Sequence, residues 1–339
     1  MRIIHVDNHQ QRKYGHTRVS WAIKLYTGLV RAGHNVLAFS DRDVAAFEAP
    51  LRIRELASRK KVNRRLLQAV EAFEPDLLVF GHCDLIDNKT FAEIRRMRPQ
   101  TVIAACNNDP LFVPRNAANI ARRCEVADAM FVSTGVAELA RFEGKRATLW
   151  HMPNPVDPAV ETWDCSAHSN QSVDLLFCSK AQAYTERGKL IDYLRGRLPQ
   201  DFRFATPGMF DQPTVWGRDY DRMLGDSKMG LNLNRQEGLQ WYSSARIAQM
   251  AGNGLLVFTH AAARFDEFMP AESLVYFDSE ESLLRRLLEF HEDDARRRHW
   301  ASRARAFFHL EINNRLYAQY IVESAMNLPY SHDYVWIRN

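Results

Sequence analysis

Residues 234–254 (NRQEGLQWYSSARIAQMAGNG) gather side chains that bind phosphate. They leave one apolar run (MGLNL) and end at another (GLLVF). Ser243 and Ser244 stand where a helix N-cap belongs. Free backbone N–H groups and the positive end of the helix dipole would attract an anion there. Arg246, in the first turn, can add a charge-assisted contact. Gln249 lies three residues on and shares that helix face. Asn232, Asn234, Arg235, Gln236 and Glu237 form the polar loop ahead of them.

A second stretch is FCSKAQAYTERGKLIDYL, residues 177–194. Ser179 and Lys180 follow an apolar run, and Arg187 and Lys189 open the next helix. Cations so placed suit a diphosphate; a solvated basic helix start is the plainer alternative. Neither GxxxxGK[ST] nor GxGxxG occurs. Residues 7–23 hold His9, Arg12, Lys13, Tyr14, Gly15, His16 and Arg18. Gly15 would let backbone approach a ligand, and His16 could act as a base or hydrogen-bond donor. GHCDLID (81–87) and CNNDP (106–110) each follow an apolar run. His82, Asp84 and Asp109 are their acid–base candidates. Asp84 and Asp87 could instead cap a helix, and Asp109-Pro110 could be a turn. No His, Cys, Asp or Glu set has metal-ligand spacing, and no Gly-x-Ser-x-Gly elbow is present.

The elements that must position these groups alternate along the chain. Apolar runs at 2–6, 35–39, 76–80, 101–106, 128–132 and 148–152 are separated by helical periodicity. In 21–32, Ile23, Tyr26, Leu29 and Val30 share a face, and Gly33 follows as a C-cap glycine. Residues 153–172 hold three prolines and many small polar residues, a linker composition. The alternation then restarts, with strands at 173–178, 202–205, 229–233, 254–258 and 274–277. Helices are expected at 187–197, 217–225, 244–252 and 280–290, and two more between 292 and about 326. This pattern predicts two α/β domains with parallel sheets and a cleft between them. In such sheets ligands bind beyond the carboxyl ends of the strands, where the polar residues above are concentrated.

The 339 residues suit about two domains at ~150 residues each. With 46% apolar and 25% charged residues, collagen-like, coiled-coil and wholly disordered chains are excluded. No apolar run approaches the ~18 residues of a membrane span, and the first residues lack a basic-then-apolar leader. A cytoplasmic location is therefore expected, with reduced thiols at Cys83, Cys106, Cys124, Cys165 and Cys178, an odd set without CxxC. Residues 1–160 carry 24 Lys+Arg against 17 Asp+Glu, and 52–65 hold seven basic residues against one Glu. Such a half suits an anionic partner, a membrane surface among them.

The C-terminal half resembles the glycosyl-transferase group 1 families, and most closely their spore-maturation CgeB-like branch. DLLFCSKAQAYTERGKLIDYL, YDRMLGDSKMGLNLNR, SSARIAQMAGNGLLVF and the ending from SEESLLRRLLEF to LYAQYI match in order. ADAMFVSTG and LWHMPNPVDP resemble the last strands and exit linker of the family's first domain. The resemblance implies GT-B architecture: two Rossmann-like domains facing across a cleft, with a C-terminal helix crossing back to the first. The boundaries would be 1–155, a linker 156–172, a donor domain 173–310, and a returning tail 311–339. It implies a nucleotide-sugar donor, no cofactor and no essential metal. Ser243, Ser244 and Arg246 would lie by the diphosphate, with Lys180 and Arg187 as its cations. Gln249 stands where the family usually has a ribose-contacting Glu, and its earlier acid falls on Trp241, with Glu237 nearby but out of register.

The expected activity is metal-independent glycosyl transfer to a glycan or lipid-linked acceptor of a bacterial surface polysaccharide. His16, His82 and Asp109 are the acceptor-side bases; Ser179, Asn234, Arg235 and Glu237 join the donor site. The anionic membrane is a possible peripheral partner, and nucleic acid is not expected. The alternatives are a non-catalytic glycan- or partner-binding protein and a sugar-nucleotide epimerase on the same fold.

Overall fold

The computed structural model describes residues 1–9, 20–49 and 58–337. The chain forms two compact units. The first spans Met1–Pro153 and Asn314–Ile337, the second Asn154–Asn313.

In the first unit, strands β1 (Arg2–Asp7), β2 (Asn35–Ser40), β3 (Leu77–Phe80), β4 (Val102–Asn107), β5 (Ala129–Val132) and β6 (Thr148–His151) make one parallel sheet. Its order is β2-β1-β3-β4-β5-β6. β3 (LLVF) and β5 (AMFV) are buried along their whole length. Helices cover both faces of such a sheet, so its strands are continuously apolar. Helices α1 (Trp21–Arg31), α2 (Asp41–Glu48), α3 (Ser58–Phe73), α4 (Asn88–Met97) and α5 (Pro114–Arg123) connect them. Ser20 caps α1 by accepting from the Ile23 amide, and Gly33, at φ +85°, ends it as expected.

The second unit has β7 (Val173–Leu176), β8 (Phe204–Ala205), β9 (Ser227–Asn232), β10 (Leu256–His260) and β11 (Leu274–Phe277), in the order β11-β10-β9-β7-β8. α6 (Glu186–Arg195), α7 (Gly217–Gly225), α8 (Arg246–Gly252), α9 (Glu280–Glu292) and α10 (Asp294–Glu311) complete it. Both sheets reverse direction at their first strand, between β1 and β3 and between β7 and β9. A crevice opens at the carboxyl ends there.

Residues 156–172, expected as a linker, pack into the second unit. The Trp163 amide donates to the Asn253 side chain (3.0 Å) and the Cys165 amide to the Asn253 carbonyl (2.9 Å). Cys165 is buried there, and the Trp163 ring lies against Gly225.

The last helix, α11 (Asn314–Ala325), returns to the first unit. Asn314 donates its side-chain amide to the Lys24 carbonyl (3.2 Å) and Thr27 Oγ1 (2.9 Å), and accepts from Arg31 (3.1 Å). Trp21 donates to the Tyr317 hydroxyl (2.9 Å), and the Tyr320 hydroxyl donates to the His151 carbonyl (2.8 Å). All five cysteines are free thiols, four of them buried. Among the described residues no helix is long and apolar enough to cross a membrane.

Gly28 lets α1 and α11 touch, because a Cβ there would lie 2.1 Å from the Asn314 backbone oxygen. Gly28→Ala is expected to destabilise the protein by about 1–3 kcal/mol, as overpacking does. A lower urea midpoint and melting temperature would register it; unchanged values would mean that the helices separate freely.

Candidate functional site

The second unit's crevice is built from the loops after β7 and β9. Beyond β7 the Ser179 amide donates to the Pro207 carbonyl (3.1 Å), and Ser179 Oγ accepts from the Ala181 amide (3.1 Å). Lys180 is exposed, with its ammonium 4.9 Å over the Trp216 ring. Thr185 caps α6 by accepting from the Gly188 amide (3.2 Å). A Cβ on Gly188 would lie 2.2 Å from the Gln182 carbonyl oxygen, so only glycine lets this turn hold Arg187 close to the loop.

Arg187 is half-buried. Burial lowers its pKa to about 10, reinforced by the like charges of Arg246 and Arg235 and offset in part by Glu237 and Tyr242. Neither Arg187 nor Arg235 forms a hydrogen bond or ion pair among the described residues. Two guanidinium groups thus stand near a third, and the one carboxylate that acts on them, Glu237, spends its hydrogen bonds on Asn234. An arrangement of this kind is favourable once an anion joins it.

Arg246 is tied more tightly. It donates to the carbonyls of Cys178 (3.3 Å) and Leu233 (3.4 Å) and to Ser244 Oγ (3.1 Å). Its guanidinium also lies 5.2 Å over the Phe177 ring, and burial lowers its pKa. Ser243 and Ser244 do not cap α8. The helix starts at Arg246, its N-cap is Ala245 with helical backbone, and no side chain caps it. The buried Ser243 hydroxyl lies 3.0 Å from Asn232 Oδ1, and the Asn154 side chain donates to the Ser243 carbonyl (2.9 Å). These two bonds hold Ser243 toward the end of β9, and Ser244 Oγ faces Arg246.

Glu237 closes its own loop. It accepts from the Asn234 amide (2.8 Å) and the Asn234 side chain (3.1 Å), which also donates to the Tyr242 carbonyl (3.1 Å). Asn234 Oδ1 is buried without a partner. Gln249 accepts from the Tyr220 hydroxyl (2.9 Å). Tyr220, whose phenol burial pushes up, was not among the expected site residues, and only its place in the matched YDRMLG stretch pointed to it. Trp241 adopts φ +54° and donates its indole N–H to Glu267 (2.7 Å). Glu267 also accepts from Gln240 (3.0 Å) and pairs with Arg264. A carboxylate from a distant loop therefore meets position 241, a contact that spacing could not reveal.

Among the described residues, the first unit's crevice holds carboxylates and a histidine in place of arginines. Asp7 ends β1, is 1% exposed, and accepts from the amides of Asn8 (2.6 Å) and His82 (3.2 Å). Its Oδ2 is unpartnered, 3.7 Å from His5 Nε2, and a Cβ on Gly81 would lie 2.1 Å from it. His82 Nε2 meets Asn108 Oδ1 at 2.7 Å, and Nδ1 lies 3.7 Å from Asp109. Burial works to lower the His82 pKa, but the charges of Asp109 and Asp7 outweigh it and raise it. His82 and Asp109 are thus brought together. Asp84 is not a helix cap and pairs with Arg42 (2.8 Å); Asp87 stands at the N-cap of α4, but its carboxylate bonds Arg59 (2.9 Å). His16, with Arg12, Lys13, Tyr14, Gly15 and Arg18, lies outside the described residues. No group of three or more His, Cys, Asp or Glu that could hold a metal ion occurs among the described residues.

Burial raises the Asp7 pKa from 3.8 to about 6, against the opposing pull of His82. The folded chain thus favours the protonated acid, and ionising it lowers stability as pH rises from about 4 through about 6. Asp7→Asn keeps an acceptor for both amides. It is expected to gain stability over the parent at neutral pH and to lose that gain below about pH 4. Urea midpoints measured across this range test it; a pH-independent difference would refute it.

The glycosyl transferase-like family model matches residues 187–323. No curated protein sequence matches the chain. Among solved structures, HepE of Anabaena in complex with UDP-glucose is 14% identical over 97% of this chain and 100% of that one, with a TM-score of 0.64. Sucrose-phosphate synthase from Thermosynechococcus elongatus is 10% identical over 96% and 99%, with a TM-score of 0.65. AviGT4, a glycosyltransferase of avilamycin A biosynthesis, is 14% identical over 96% and 97%, with a TM-score of 0.59. The match over residues 187–323 lies on the arginine-lined crevice, and the two like-ordered parallel sheets, shared with these solved structures, give the chain the GT-B fold.

Proposed function

We propose that the protein transfers a sugar from a nucleoside diphosphate sugar held by the second unit, without a metal. The observation that carries this is the cluster of Arg187, Arg235 and Arg246 at the reversal between β7 and β9. Departure of the sugar leaves a nucleoside diphosphate and passes through an oxocarbenium-like transition state. Preorganised cations stabilise the charge that develops on the leaving group. Arg187, Arg235 and exposed Lys180 supply that charge, and Arg246 holds the loops that present it. Ser179, Ser243, Ser244, Asn234 and Glu237 shape the cradle, and Gln249 offers an amide to the ribose. Binding of UDP or UDP-glucose by HepE supports a nucleotide-sugar donor.

On the acceptor side, His82 is the base in an inverting reaction, with Asp109 beside its Nδ1 and Asn108 on Nε2. His16 is a further candidate. The acceptor is a glycan or lipid-linked glycan of a bacterial surface polysaccharide, met at the cytoplasmic face of an anionic membrane. The basic residues of the first half favour that location, although Arg59 and Arg65 of α3 are already paired with Asp87 and Glu48. The substitution of Gln at 249 favours the alternative, a non-catalytic glycan-binding protein.

A panel of UDP, GDP, CDP, ADP and dTDP, each with magnesium or EDTA, tests this reading by thermal shift. One nucleotide should raise the melting temperature by a few degrees at saturation, equally with EDTA. Arg187→Ala should weaken that binding about tenfold or more and abolish transfer, with the unliganded melting temperature unchanged. No shift with any nucleotide would favour the non-catalytic alternative. A shift requiring magnesium would refute metal independence.

A further inference from the structure

We propose that Trp216 is the stacking platform for the donor's nucleobase, so that it determines how much more tightly the second unit holds a nucleotide than bare pyrophosphate. This rests on the donor reading above. Trp216 is 51% exposed, beside the crevice and not in the core. Its ring is nevertheless fixed. The indole N–H donates to Thr214 Oγ1 (3.0 Å), and the Lys180 ammonium lies over the ring at 4.9 Å.

The loop that carries it is fixed as well. The Ser179 amide donates to the Pro207 carbonyl (3.1 Å). Gly208, at φ +83°, presses so closely that a Cβ would lie 2.5 Å from the Ser179 carbonyl oxygen. An indole half exposed and held in place offers a flat face on which an aromatic ring can stack.

Its position relative to the arginines selects the ligand. Trp216 stands at the N-cap position of α7 with extended backbone, and Tyr220 follows in the first turns of that helix. The Tyr220 hydroxyl donates to Gln249, one turn of α8 beyond Arg246. Arg246, Gln249, Tyr220 and Trp216 therefore succeed one another as the diphosphate, ribose and base of a nucleotide do. Every base has a π face, so the platform strengthens all nucleotides alike and leaves base identity to other contacts.

Isothermal titration of UDP, GDP, ADP and inorganic pyrophosphate against the parent, Trp216→Leu and Trp216→Tyr tests this. Trp216→Leu should weaken the best nucleotide about tenfold or more and leave pyrophosphate within about twofold. Trp216→Tyr should retain most of the nucleotide affinity. Unchanged nucleotide binding by Trp216→Leu overturns the platform. Equal loss of nucleotide and pyrophosphate overturns it too, since Trp216 would then act through the phosphate cradle. Failure of the parent to bind any nucleotide or pyrophosphate overturns the donor reading itself, and this inference with it.

Discussion

The second unit's crevice depends on one guanidinium. The last ladder pair of β7 and β9 is Leu176 with Gly230. Beyond it the strands have no backbone bonds to each other, and Arg246 bridges the gap through the carbonyls of Cys178 and Leu233. Carbonyl oxygens at the ends of parallel strands need partners when half-buried, and a planar group with five donors can satisfy several at once. This explains why the arginine at the start of α8 points back into the sheet. It also divides the work among the cations: the buried one organises the loops, and Arg187 and Arg235 remain open to a ligand.

The two units show that topology does not set chemistry. Each sheet reverses at its first strand and opens a crevice there. At the first reversal lie Asp7, His82 and Asp109; at the second lie three arginines. The first set suits proton transfer and the second suits an anionic leaving group. The chemistry therefore resides in these side chains, and the fold supplies their positions.

Much of this was legible in the sequence because its signals are local. Gly33 follows the periodic face of α1 and does end it. The apolar runs located β11 at 274–277 to the residue, and the helix over 217–225 likewise. What failed was non-local. Ser243 looks like a cap, but a bond to Asn232, eleven residues away, competes for its hydroxyl. β8 shrinks to two residues because the Arg203 amide and side chain are both drawn to the buried Asp174 carboxylate. Residues 156–172 have linker composition, yet Asn253 captures two of their amides from about ninety residues on. The loop with His16 lies outside the described residues, and His82 and Asp109 are the acid–base candidates that the first unit brings together.

Position 249 follows from the same electrostatics. Its side chain must accept from the Tyr220 hydroxyl, whose phenol is held neutral by burial. An amide oxygen does this as well as a carboxylate. A carboxylate would also sit one turn from Arg246, where burial and the charges of Arg246 and Arg235 lower the Arg187 pKa, and would neutralise part of their field. The amide keeps the acceptor for Tyr220 and adds a donor, and leaves Glu237 as the carboxylate that offsets part of the positive field. Glutamine at 249 thus leaves the crevice more positive than a carboxylate would, and makes it a weaker hydrogen-bond acceptor.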